Sequence, residues 1–395
     1  MTLPQGSPIA GSERAIALDA LRGVALFGVL LVNVLTTFRV SLFAQFLPSG
    51  GPGGSPVSHA DQVVARILVI GLESKAFTLF SLLFGVGLAA QHERTRARDV
   101  PFGRYAVRRL GFLLALGLAH LFLVWNGDVL TLYAVLGIIA APLLTLPIRV
   151  LLGLALALFV AHLCPLPFPP PFASYPALRD HVLEANRVYA FGTFGEVLAF
   201  RIREVRPVLA LLFWTTPRVL ALFLLGACAW RGSVFRGEQR ALVRVVAVAG
   251  LVVGGALSWA ASTDTVDLRT WRDVVSRTAS LVLALGYASL VLVVFERPGT
   301  PAMRRARAAL SLVAPLGQMA LTSYLTQSIV LSAIFYGWGL GLYGRLGEGT
   351  AAVIGGGIFA AQAAFSAAWL RRYRFGPMEW IWRSFTYGAR QPMRR

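Results

Sequence analysis

His120 and Asp128 stand either side of a short break in a chain that is otherwise apolar there: HLFLVWNGDVLTLY, residues 120–133. An imidazole whose tautomer and cation are steadied by a carboxylate is the arrangement used for general-base chemistry. Each residue also has a plainer reading. Asp128 sits where the N-cap of a following helix belongs, and His120 sits where a satisfied interfacial histidine belongs. The intervening turn, marked by Trp125, Asn126 and Gly127, forces its two helices to be antiparallel neighbours, so the pair is expected to meet at the edge of one cavity. Tyr133, five residues beyond Asp128, is expected to line that cavity.

Other ionisable or amide groups fall where lipid is expected, and such groups are costly there. Arg22 lies one helical turn after Asp19, as a surface pair or as an anion-binding arginine. Asn33 sits mid-span, where an amide usually joins helices. Glu73 and Lys75 are two residues apart, so on a helix they point to different faces. Lys75 is the sole lysine among 37 basic residues, a choice that suits a readily shifted pKa. Gln318, Thr322, Ser323, Tyr324 and Gln327 make residues 317–328 unusually polar, as interhelical glue or as a hydrogen-bonding wall. Ser81 and Gly85 form a small-xxx-small step for close helix packing.

These groups need a membrane scaffold. The 395 residues are 56% hydrophobic and only 14% charged, with a mean hydropathy of +0.67, more apolar surface than a soluble globule can hide. The fold class is therefore all-α and polytopic. About ten spans are expected, near 23–43, 69–91, 105–124, 129–147, 149–165, 208–230, 242–262, 274–295, 312–336 and 350–370. The first is a retained span, with no convincing cleavage site after it.

The net charge of +19 comes from arginines gathered in short gaps between apolar runs, which argues for retained cytoplasmic loops and against a nucleic-acid partner. The gap 92–109 carries six arginines, 231–244 four, 297–307 four and the tail from Arg371 seven. Residues 44–61 and 125–128 carry no Lys or Arg, and 337–348 carries only Arg345. Both termini are therefore expected in the cytoplasm, in a bacterial inner membrane. Residues 1–12 read as a disordered tail, 13–388 as one transmembrane domain and 389–395 as a basic tail. Within that domain, 13–165 holds five spans and 207–388 holds five more.

Residues 166–206 lie between the two halves on the outer side. The proline-rich stretch PLPFPPPF opens this part of the chain, and Thr193 and Glu196 form a capping box. Two amphipathic surface helices are expected here. Gly50–Gly54 reads as an outer loop; it lacks the Gly-Lys-Ser/Thr of a phosphate loop. Cys164 and Cys228 fall toward opposite faces, which argues against a disulfide. No spacing of His, Cys or acidic residues indicates a metal.

Four stretches carry a resemblance: LDALRGVALFGVLLVN, ESKAFTLFSLLFGVGLA, RRLGFLLALGLAHLFLVWNGDVLTLYAVLG, and VAPLGQMALTSYLTQSIV with its RFGPMEWIWR ending. Over roughly residues 13 to 388 the chain resembles the YeiB-like membrane proteins built around domain of unknown function family 418. Two positions depart from that pattern. Ser74-Lys75-Ala76 replaces the family's more usual Gly-Lys-Phe, and Gln318 replaces its Arg. The LDALRG start is similar to a broader group of transmembrane acyltransferases that includes heparan-alpha-glucosaminide N-acetyltransferase.

That resemblance implies transfer of an acyl group from cytoplasmic acyl-CoA to a hydroxyl or amine at the outer face. Arg22, Arg104, Arg108 and Arg109 would hold the CoA phosphates. His120, backed by Asp128, would deprotonate the acceptor. Asn33, Lys75 or Gln327 would stabilise the oxyanion, with Glu73 and Tyr133 lining the acceptor side. The expected partners are the bilayer, acyl-CoA and an acceptor that is a glycan, lipid or small molecule, with a homodimer as a candidate assembly. The rival readings are a transporter or exporter of a small solute and a membrane scaffold without turnover.

Overall fold

A backbone surrounded by lipid has no water to bond with, so its N–H and C=O groups must pair within the segment, and a helix achieves this. The computed structural model describes residues 11–47, 58–99, 101–164, 172–263, 269–296 and 299–395, and it is built almost wholly of helices. They are α1 (Gly11–Asn33), α2 (His59–Gly71), α3 (Lys75–Arg96), α4 (Phe102–Leu123), α5 (Leu130–Leu143), α6 (Ile148–Leu163) and α7 (Tyr175–Phe191). The second half holds α8 (Phe194–Arg231), α9 (Arg240–Ser262), α10 (Arg269–Glu296), α11 (Pro301–Gln318), α12 (Ala320–Phe335), α13 (Glu348–Arg372) and α14 (Pro377–Tyr387). The expected tail 1–12, the loop 50–54 and most of PLPFPPPF lie outside the described residues.

Multi-pass membrane architecture follows from the helices themselves. Among the described residues seven are long and apolar enough to cross a bilayer, or eight if one bent pair counts as a single span. The expected count of about ten is not reached by this measure, because α5 and α6, read as spans four and five, are short apolar helices of 14 and 16 residues. At ~1.5 Å per residue they reach only about 21 and 24 Å, less than a hydrocarbon core of about 30 Å.

Two expectations are corrected. The expected second amphipathic helix of 166–206 is not a separate element. It is the start of α8, which runs 38 residues through Pro207 and Pro217. At about 57 Å, α8 is far longer than the bilayer is thick, so one end projects beyond it. The capping box of Thr193 and Glu196 does open this helix. The expected span 312–336 is likewise not straight, since α11 and α12 meet at 82° around Met319.

The bend exposes the first N–H groups of α12, and a distant carboxylate takes them. Glu379 of α14 accepts from the backbone N–H of Leu321 (2.7 Å) and Thr322 (3.0 Å) and from the Thr322 hydroxyl (2.6 Å). An amphipathic helix thereby caps a broken one. Burial pushes the Glu379 carboxyl above its usual range, opposed by the Thr322 bonds. A raised acid binds its proton more readily folded than unfolded, so this group's contribution to stability falls as pH rises above the ordinary Glu value. Glu379→Gln is expected to flatten that part of the Tm–pH curve, with a neutral-pH Tm near wild type. Glu379→Ala strands two backbone donors and is expected to cost about 1–3 kcal/mol in denaturant unfolding.

Glycines set the close helix contacts. A Cβ on Gly85 of α3 would fall 2.0 Å from the Phe223 carbonyl oxygen of α8, and one on Gly226 of α8 would fall 2.0 Å from that of Leu82. Gly85 of the small-xxx-small step therefore packs α3 closely against α8. Cys228 touches Ile148 at the start of α6, whereas Cys164 follows the end of α6, and both thiols are free.

Candidate functional site

α4 ends on two backbone bonds to the His120 carbonyl, from Val124 (3.0 Å) and Trp125 (2.8 Å). The chain turns tightly because the Trp125 indole folds over Gly127, where a Cβ would lie 2.1 Å from the ring. It re-enters α5 beside Gly117, where a Cβ would meet the Thr131 nitrogen at 2.5 Å. These contacts make α4 and α5 antiparallel neighbours and bring the two ionisable residues together.

His120 Nδ1 lies 2.9 Å from Asp128 Oδ1. Asp128 also caps α5, accepting from the N–H of Leu130 (3.1 Å) and Thr131 (2.7 Å). The capping and pairing readings are thus both true of one side chain. The carboxylate can only accept here, so it favours the tautomer that carries its proton on Nδ1 and leaves the Nε2 lone pair bare. Nε2 is buried without a hydrogen-bond partner. The Tyr324 ring lies 5.2 Å away and the Trp125 ring 6.4 Å, edge-on. His120 and Asp128 are 2% and 1% exposed. The expected pair exists, and it is buried in this conformation.

The remaining sequence-singled residues divide. Tyr133 binds Ser81 (2.6 Å) and is packed by Phe77, Phe80, Phe84 and Phe223. The polar stretch of α12 faces three ways instead of forming one wall. Thr322 turns to Glu379, the Tyr324 hydroxyl accepts from the Val129 N–H (3.4 Å), and Gln327 Nε2 donates to Gln362 of α13 (2.8 Å). Gln327 is glue at its nitrogen, while its oxygen is buried and unpartnered. Gln318 is exposed at the bend. Asn33 closes the α-helical part of α1, and its carbonyl accepts from Thr37 in the π turn that follows.

Lys75 starts α3 after Ser74, whose φ of +62° breaks the chain from α2. Its Nζ donates to the Val69 carbonyl (2.7 Å), and Glu73 lies in the turn between α2 and α3, not on one helix with Lys75 as expected. None of Asn33, Lys75 and Gln327 hydrogen-bonds to His120 among the described residues. Nearby, Arg218 of α8 donates to the Ser74 carbonyl and the Thr78 hydroxyl.

The expected phosphate-binding arginines share one end of the bundle. Arg22 pairs with Asp19 at 2.7 Å. Arg109 stacks 3.6 Å over Trp382 of α14, whose indole donates to the Arg109 carbonyl. Arg22 is close enough to act on Arg109 electrostatically. Arg104 and Arg108 are exposed. Aliphatic and aromatic packing, with Leu26, Leu110, Leu113, Leu316, Leu321 and Tyr324 among it, forms a core cluster shared by α1, α4, α11 and α12. No cluster of three metal-ligating side chains occurs among the described residues.

A second buried polar cluster was missed in the sequence. Glu204 accepts from His181 Nε2 (2.8 Å), from the Tyr189 hydroxyl (2.7 Å) and from the Asn126 amide of the site's own turn. Arg201, one helical turn earlier, donates to the Leu123 carbonyl (3.1 Å). The signal was legible as spacing. Val197, Phe200, Arg201, Glu204 and Val208 are all buried and fall on one helical stripe. The expected break between 206 and 208 divided that stripe.

A multi-pass bundle with a broken helix, an arginine-rich end and a buried His–Asp turn defines a polytopic α-helical membrane protein. Residues 229–389 match the family model described as "Protein of unknown function (DUF418)". The chain is 31% identical to "Uncharacterized protein YxaH" of Bacillus subtilis (strain 168), over 98% of this chain and 97% of that protein. It is 28% identical to "Uncharacterized protein YeiB" of Escherichia coli (strain K12), over 96% and 98%. It is also similar, at 27% identity over 98% and 97%, to a 39.9 kDa protein of Bacillus acidopullulyticus. The chain belongs to this YeiB-like DUF418 family.

Proposed function

We propose that the protein is a membrane-embedded acyltransferase that moves an acyl group from cytoplasmic acyl-CoA to an acceptor hydroxyl or amine at the outer face. The observation that carries the reading is the bare, buried Nε2 of His120, held in a base-ready tautomer by Asp128. The LDALRG resemblance supports the chemistry. The arginine-rich end supports a cytoplasmic donor site and cytoplasmic termini in a bacterial inner membrane.

The step balances without a further reagent. His120 Nε2 takes the acceptor's proton while the acceptor's oxygen or nitrogen bonds to the thioester carbonyl carbon. The carbon–sulfur bond then breaks, and the CoA thiolate leaves with the proton that His120 returns. Arg22, Arg104, Arg108 and Arg109 would hold the CoA phosphates. Because Nε2 is closed off, substrate entry must first open the site, which also keeps water from the thioester.

Equilibrium binding of labelled acetyl-CoA to the purified protein tests the donor site. Saturable binding is expected, and the double variant Arg104→Gln/Arg108→Gln is expected to weaken it by about tenfold or more, from two lost charge-assisted contacts. Absence of saturable binding to wild type would remove the reading.

A transporter is the second reading, favoured by the 82° break between α11 and α12. Broken helices supply backbone groups to midplane solute sites. Solute flux in proteoliposomes without acyl-CoA binding would establish it.

A further inference from the structure

Arg201 keeps two buried guanidinium donors without hydrogen-bond partners. It is 0% exposed. Its Nη1 donates to the Leu123 carbonyl, whereas Nε and Nη2 are buried without hydrogen-bond partners. Its guanidinium carbon lies 5.2 Å from the centre of the Tyr336 ring. The nearest acid in sequence, Glu204, is also buried, yet its carboxylate is already occupied by His181, Tyr189 and Asn126. The hydrogen-bonding capacity of the buried anion thus goes to those three donors and not to Arg201. Buried donors left without a partner are costly to keep.

The same turn holds other unmet groups. Trp125 Nε1 and His120 Nε2 are both buried without partners. Leu123, which anchors Arg201, is three residues from His120. The unmet Trp125 and Arg201 donors suit an acceptor-rich anion. The Arg201 Nε and Nη2 edge offers two parallel donors, the geometry that suits a carboxylate or phosphate.

We infer that Arg201 anchors an anion-binding subsite beside the His120 turn, which takes a carboxylate or phosphate group of the molecule to be acylated. As an acceptor subsite it rests on the acyl-transfer reading; as a binding site it stands apart from it. Entry requires the ring of Trp125, now stacked 4.5 Å from Phe38, or that of Tyr336 to move aside.

The test uses the purified full chain in lipid nanodiscs, with thermal unfolding measured in glucuronate, in glycerol 3-phosphate and in chloride of matched ionic strength. Wild type is expected to gain a few degrees in Tm with the carboxylate, the phosphate or both, and none with chloride. The arm that responds names the group. Arg201→Met is expected to lose the response. A purely structural arginine would give a lower ligand-free Tm with the anion response retained.

If Arg201→Met does not fold, Arg201→Lys serves. It keeps the charge and a donor for Leu123 but not the two-pronged edge, and it must lose the response. No response in wild type, or a retained response in the folded variant, overturns the inference. Acetyl-CoA binding is measured on the same preparation. Acetyl-CoA binding without an anion response sinks this inference alone, and an anion response without acetyl-CoA binding sinks the transfer reading alone.

Discussion

His120→Ala is expected to lower acyl transfer by about 10²–10⁴-fold, the usual contribution of a positioned general base. Asp128→Asn is the sharper probe. Asp128 does two jobs, orienting His120 and capping α5 through Leu130 and Thr131. The asparagine retains one acceptor oxygen for the cap, so Tm is expected to fall little. Its amide, however, can donate to Nδ1, which would move the imidazole proton to Nε2 and remove the lone pair that works. Transfer is therefore expected to fall by at least about tenfold with the fold intact. If Asp128→Asn unfolds the protein and His120→Ala leaves transfer unchanged, the carboxylate is only a cap and the imidazole only packing.

The largest structural effect is expected at the α3–α8 contact. Gly85 and Gly226 lie against each other's helices, each with a main-chain oxygen 2.0 Å from where its Cβ would be. A main-chain oxygen cannot swing away as a side chain can, so the helices must part. Gly85→Val and Gly226→Val are each expected to cost at least about 3 kcal/mol, at the upper end of overpacking penalties. Loss of monodisperse protein after extraction would report it. Gly87→Ala is the control, since its nearest neighbour is a flexible Gln91 side-chain atom at 3.9 Å. Tolerance of valine at 85 or 226 would contradict the close approach.

The sequence made some of this plain and hid the rest for physical reasons. The His120–Asp128 meeting was legible because a turn of a few residues leaves two helices no choice but to lie side by side. The small-xxx-small step and the Thr193 capping box are local patterns, and local patterns survive into the fold. Helix lengths were less legible. Apolarity marks what tolerates lipid, not where a helix stops, so short α5 and α6 read like full spans. The sixth span was expected to start at 208, yet α8 begins at Phe194 and runs through Pro207 and Pro217.

The bend at Met319 was hidden because its stabiliser, Glu379, is 58 residues from Leu321 in the chain. No pattern within one helix reveals a cap supplied by another. Arg201 and Glu204 fall in the segment expected to form surface helices, and helix length and burial place them inside.

The most direct test of the central claim is sided acyl transfer in oriented proteoliposomes. Labelled acetyl-CoA is supplied only at the arginine-rich face, and free thiol is followed there while labelled product is sought on the other side. Wild type is expected to release thiol and deliver label across the membrane, and His120→Ala to do neither. Equal thiol release and equal label transfer by His120→Ala, or neither event in wild type, would contradict the account.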